Sequence, residues 1–171
     1  MSLASPPLVS STARGTQGAR DDWQTPAWLF GALDLEFRFN IDAAATAETA
    51  MVRNSYLCPE QDGLRCSWGG RGSRVWLNPP YGRSVGEWVA KARKEAECGA
   101  IVVVLIFSRT DTAWWHDHAM KASEIRFIRG RLRFLQDGAP KDPSPAPSCV
   151  LVFTPWSAGP PALRTIERES R

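Results

Sequence analysis

The chain has 171 residues, 43% hydrophobic and 23% charged, which suits one folded domain and excludes a wholly disordered polymer. A formal net charge of +3 permits a nucleic-acid partner without demanding one. The longest apolar run, residues 100–107, is too short to cross a bilayer, and no charged-then-apolar leader opens the chain, so a cytoplasmic protein with no membrane partner is expected.

Residues 1–20 are rich in Ser, Thr, Pro and Gly and read as a disordered leader, because they bury too little to offset their ordering entropy. A domain is expected over residues 21–156. Thr25-Pro26 opens a helix, with Thr25 as the cap, Pro26 at the first helical position, and Trp28, Leu29, Ala32 and Leu33 on one face. Phe37, Phe39 and Ile41 alternate as in a strand that Asp42 closes, and the Ala-rich residues 43–52 read as helix. Residues 74–77 form a short strand running into Asn78-Pro79-Pro80-Tyr81. Ser84 and Glu87 have capping-box spacing before a helix with Val85, Trp88, Val89 and Ala92 inward, which Gly99 ends.

The continuous apolar run 100–107 has the pattern of a central strand covered on both faces. Thr110 or Asp111 caps a further helix to about residue 121. Three β runs follow, at 124–128, 131–135 and 148–154, the last two joined by a proline-rich loop. Residues 157–171 form a tail with a last helical turn or two after Pro160-Pro161. Strand–helix alternation followed by paired strands predicts an α/β three-layer sandwich, with a mostly parallel sheet and an antiparallel C-terminal hairpin. Ligands bind outside the carboxyl ends of strands in such sheets, so Asp42, Asn78 and Ser108-Arg109 should converge on one crevice.

Cys58, Cys66, Cys98 and Cys149 contain no Cys-x-x-Cys and no histidine at zinc-finger spacing, so free thiols are expected. His116 and His118, two apart on a helix, face different sides; no metal is expected. Trp114 and Trp115 suit either helix packing or a wall for a base. Arg129, Arg131 and Arg133, spaced by two, project to one side of an extended segment and suit phosphate contacts, with Arg126 near them and Phe127, Leu132 and Phe134 in the core.

Asn78-Pro79-Pro80-Tyr81 carries the chemistry. Two prolines with fixed φ stiffen the turn after the strand. The turn holds the Asn78 side-chain oxygen and the Pro79 carbonyl in one geometry, and two acceptors aimed at one point suit an exocyclic amine. Accepting both of its hydrogens turns the lone pair out of conjugation and makes the nitrogen a nucleophile, while Tyr81 offers a flat face for a ring. A base amine reaches such a turn only if the base leaves the duplex.

The tetrapeptide matches the catalytic motif of amino-methyltransferases. The wider pattern comprises Trp23-x-Thr25-Pro26, Asp42-Ala43-Ala44-Ala45, Asp62-Gly63-Leu64, Trp68, the tetrapeptide and Gly130-Arg131-Leu132-x-Phe134. In order and spacing it resembles the phage-type DNA N6-adenine methyltransferase (Dam) family. That resemblance implies a Rossmann-like methyltransferase sheet, S-adenosyl-L-methionine as cofactor, double-stranded DNA as partner, a monomer and a phage or infected-host setting. It implies Asn78, Pro79, Pro80 and Tyr81 as the reaction centre. Thr25 and Pro26 would lie by the methionine end of the cofactor, Asp42 on its ribose or ammonium, and Asp62 with Leu64 about its adenine. Arg109, Trp114, Arg129, Arg131 and Arg133 would face DNA. The family's glycine-rich turn after the first strand is absent, since Asp42 is followed by alanines, and Asp42 suits either the first-strand or the second-strand acidic position. The same turn chemistry also serves cytosine N4, an RNA base or a protein glutamine, and a glycine-poor pocket also suits a nucleic-acid-binding module without catalysis.

Overall fold

The computed structural model describes residues 23–136 and 138–167; the leader expected over 1–20 lies outside them. The helix α1 (Ala27–Phe37) is followed by the strands β1 (Ile41–Asp42) and β2 (Arg74–Leu77), the helix α2 (Val85–Glu97) and the strand β3 (Ile101–Phe107). Then come α3 (Ala113–Asp117), β4 (Glu124–Ile128), β5 (Leu135–Gln136), β6 (Ala139–Pro140), β7 (Ser148–Phe153) and β8 (Ala162–Ile166). The main sheet has the order β1-β2-β3-β7-β4-β8, and β5 with β6 makes a separate antiparallel pair. β7 is antiparallel to both neighbours and every other pairing is parallel, so β7 alone runs against the rest.

Alternation along the strands explains the two cores. Val102, Val104 and Ile106 of β3 join Val75, Leu77, Leu151 and Phe153 against Trp88, Val89 and Ala92 of α2 and Trp115 of α3. Val103, Leu105 and Phe107 join Trp76, Val150 and Val152 against Leu29 and Leu33 of α1. Both faces of β3 are therefore covered, and burying each such side chain is worth about 1.5–3 kcal/mol. Gly99 closes α2 with φ of 106°, and a Cβ there would stand 2.9 Å from Arg71 Cα.

Several expectations are corrected. Pro26, not Thr25, caps α1; the Thr25 hydroxyl is buried without a partner. Leu29 and Leu33 face inward, but Ala32 is exposed. Phe37 belongs to the helix, which ends where Arg38 turns left-handed at φ 55° and Asp34 Oδ1 accepts the Phe39 N–H at 2.8 Å. Residues 43–52 form bends and turns, because the Met51 N–H is drawn to the Asp42 carboxylate and the Leu57 N–H to the Asp42 carbonyl. Those tertiary bonds outweigh alanine's helix preference.

Ser84 has a helical backbone (φ −83°, ψ −1°), so its side chain cannot cap α2, and Thr112 rather than Thr110 or Asp111 precedes α3. Residues 131–134 lie in a loop, so the expected strand shrinks to β5 and the antiparallel hairpin is the β5–β6 pair. Phe127 is exposed, whereas Leu132 and Phe134 are buried as expected. The tail carries β8 instead of a helix; it lies parallel to β4, with Arg164 Nε 3.0 Å from Glu124.

Candidate active site

The carboxyl ends of β1, β2 and β3 share one edge of the sheet. β1 is the outermost strand there, so Asp42 stands directly beside the strand that delivers Asn78; no strand lies beyond it among the described residues. Asp42, Asn78, Pro80, Thr25 and Asp62 line a cavity of about 390 Å³. Two predicted groups are thus brought together, with the prolines holding Asn78 at the end of β2.

The Asn78 amide has one defined orientation. Its Nδ2 donates to the Trp23 carbonyl at 2.6 Å, which leaves Oδ1 as an acceptor, buried and without a partner. Such an orphan costs about 1–3 kcal/mol unless a ligand supplies a donor. Asp42 is buried; its Oδ2 accepts the Met51 N–H at 2.9 Å and its Oδ1 the Ala44 N–H at 3.4 Å. Burial pushes this carboxyl up to about 6, against the pull of those N–H groups.

Tyr81 stands behind the cavity wall and does not line it. Its ring lies 4.3 Å from Phe107, 5.4 Å from Trp23 and 5.7 Å from Phe134, centroid to centroid. Its hydroxyl is buried without a partner, and burial raises its pKa well above the usual range. This aromatic cluster fills the carboxyl end of β3, which explains why Ser108 and Arg109 do not reach the cavity. The Ser108 hydroxyl is buried, and Arg109 is exposed, its guanidinium 6.0 Å from the Phe107 ring. Pro79 is buried beside the site.

Asp62 lines the cavity in a left-handed conformation, φ 48°, and ion-pairs with Arg65 at 3.1 Å. Leu64 packs on the α2-side core, and Pro26 caps α1; neither lines the cavity. Sequence reasoning missed Trp23, Gly63 and Trp88 as walls. The signal lies in the sequence, where Trp23 stands two residues before Thr25 and Gly63 directly follows Asp62. A Cβ on Gly63 would stand 2.6 Å from the Ala43 carbonyl, so only glycine lets this wall close.

Arg129, Arg131 and Arg133 are exposed and line a separate groove of about 450 Å³ with Pro26, Trp28 and Pro140. They reach one groove from a loop rather than from a strand. Arg126 stands apart, neutralised by Glu36 at 2.6 Å and Glu124 at 2.8 Å. Trp114 packs against Trp115 and Gly86, which favours helix packing over a base-binding wall. Among the described residues no group of three His, Cys, Asp or Glu could hold a metal ion, and no helix is long and apolar enough to cross a membrane.

These features define an α/β protein with a cavity at the carboxyl ends of parallel strands, which Asn78 and Pro80 of an Asn-Pro-Pro-Tyr turn line together with a buried carboxylate. The family model described as DNA N-6-adenine-methyltransferase (Dam) matches residues 12–170, and the chain belongs to that family. It is also 31% identical over 120 residues to a DNA N-6-adenine-methyltransferase of Escherichia phage T1. The match covers 70% of this chain and 49% of the relative, so it spans about half of the relative's length.

Proposed function

We propose that this chain is an S-adenosyl-L-methionine-dependent DNA methyltransferase acting on the N6 amine of adenine, built on a Rossmann-like methyltransferase sheet. The carrying observation is the orphan Asn78 Oδ1, an acceptor held at a strand end beside a cavity with a buried carboxylate. A family named for adenine N6 methylation supports the choice of amine.

The cavity residues fit the cofactor. Asp42 would hold ribose hydroxyls or the methionine ammonium, Asp62 the adenine amine, and the unpartnered Thr25 hydroxyl a polar group near the methionine end, close to Pro26. When bound, the cofactor supplies a methyl already activated on a sulfonium, so the protein's task is placement. Asn78 Oδ1 and the Pro79 carbonyl accept the two hydrogens of the target amine and direct its lone pair outward. Pro80 fixes the turn, and Tyr81, packed behind Trp23, supports the wall on the base's side of the site.

The target base leaves the duplex to reach this turn. Arg131 and Arg133, with Arg129 shared with Glu167 at 3.3 Å, contact phosphates of double-stranded DNA, and exposed Arg109 adds a further contact outside the cavity. We place a monomer of this kind in the cytoplasm of a phage-infected or bacterial host. Incubation with methyl-labelled cofactor and duplex DNA, followed by nucleoside mass spectrometry, should yield N6-methyladenine. Asn78→Ala should lower the yield by about 100-fold or more while the fold persists. Label only in cytosine, RNA or protein would overturn the reading.

A further inference from the structure

The Asn78 amide is held from outside its own motif. Nδ2 donates to the backbone carbonyl of Trp23 at 2.6 Å, 55 residues away in sequence. Trp23 is itself clamped. Its ring lies 5.1 Å from Phe134, 5.4 Å from Tyr81 and 5.5 Å from Phe107. The next residue is tied by a reciprocal pair, the Gln24 N–H to the Leu135 carbonyl and the Leu135 N–H to the Gln24 carbonyl, each 2.9 Å. A carbonyl fixed in this way accepts and cannot donate, so it selects the amide nitrogen and sends Oδ1 the other way.

We infer that Trp23 is a positioning residue: its clamped carbonyl fixes the Asn78 amide so that Oδ1 faces the reacting amine, and this chain therefore needs a donor on the other arm of residue 78. The inference rests on the proposed methyl transfer. A carboxylate at position 78 would set an oxygen against the Trp23 carbonyl, whereas a neutral carboxylic acid would donate its O–H there and still present an acceptor. Asp42, Cys58 and Asp62 on the cavity wall, the Tyr81 hydroxyl, and Lys141 with Asp142 of the small cavity that Trp23 also lines are the titratable groups around it. Asp42 titrates in the same range, so each variant is compared with the unsubstituted chain at each pH.

The test is Asn78→Asp alone and in Trp23→Ala and Trp23→Phe backgrounds. Relative kcat of Asn78→Asp should fall about tenfold or more between about pH 5 and about pH 8, with KM for the cofactor little changed. In the Trp23→Ala background that pH dependence should shrink, since the ring contacts are lost and the Gln24–Leu135 pair alone holds the carbonyl less firmly; Trp23→Phe, which keeps an aromatic in the cluster, should restore it. Melting temperature gives a second readout: the deficit of Asn78→Asp should grow as pH rises and should also shrink with Trp23→Ala. An Asn78→Asp enzyme fully active at about pH 8, or a pH dependence undiminished by Trp23→Ala, overturns the inference. If the unsubstituted chain forms no N6-methyladenine, the proposed function falls, and the melting arm still decides whether the clamp exists.

Discussion

Asp42 shows how one buried side chain couples the site to solution conditions. Its carboxyl titrates at about 6 when folded against an ordinary 3.8, chiefly because burial disfavours the charged form. The unfolded chain therefore releases this proton first as pH rises. Asp42's contribution to the stability of the ligand-free protein is fully present below about pH 4 and is lost as pH rises through about 6, by up to about 3 kcal/mol. Chemical denaturation across that window should show the decline, and Asp42→Asn should flatten it. Affinity for a cationic ligand should rise over the same window, as calorimetry can report. The role of Asp42 as a strand-ending carboxylate was legible in the sequence. Its burial was not, because that depends on residues 49–57 folding back over it with the Met51 N–H on its oxygen.

At the scale of elements, α2 holds the cavity wall opposite β1. Glu95 is buried, ion-paired to Lys91 at 2.6 Å, and accepts the Trp68 N–H at 3.1 Å. The Trp68 indole in turn donates to the Gly63 carbonyl at 2.7 Å and stacks on Trp88, with centroids 6.2 Å apart. This chain of bonds helps fix the segment carrying Asp62, which ends a single 3-10 turn over Pro59–Gln61. Trp68→Phe keeps a ring in the core and removes the indole bond. It should cost about 1 kcal/mol in denaturant unfolding and weaken cofactor binding several-fold by calorimetry, with kcat at saturation nearly kept. Elements with strong patterning, the periodic α2 and the continuous apolar β3, match the sequence closely. The Ala-rich stretch after Asp42 misleads because local preference there yields to bonds from elsewhere in the fold, and the Ser84 capping box because Ser84 itself takes a helical backbone.

Across the whole molecule, the arginine groove and the cavity lie on different parts of the surface, and the Gln24–Leu135 bridge connects their margins. Arg131 and Arg133 reach only long contacts, 3.4 Å, to the carbonyls of Ser144 and Lys141, so their charge remains available to phosphate. Arg131→Ala with Arg133→Ala should weaken DNA binding and reduce the slope of log affinity against log salt by about two, read by titration at several salt concentrations. An unchanged slope would take these residues out of the interface.

The sequence alone determined the chemistry of the turn. Two prolines after a short strand restrict the backbone wherever that strand lies, and asparagine's amide offers an acceptor and a donor on two separate arms. The parallel core strands were equally legible, because continuous apolar runs bury both faces in any arrangement. Only the tertiary structure decided the sheet's two margins, β1 beside Asn78 and β8 beside β4, since strands this short acquire their register from neighbours. It also decided which arm of the Asn78 amide is free, because that choice is made by a carbonyl far away in the chain.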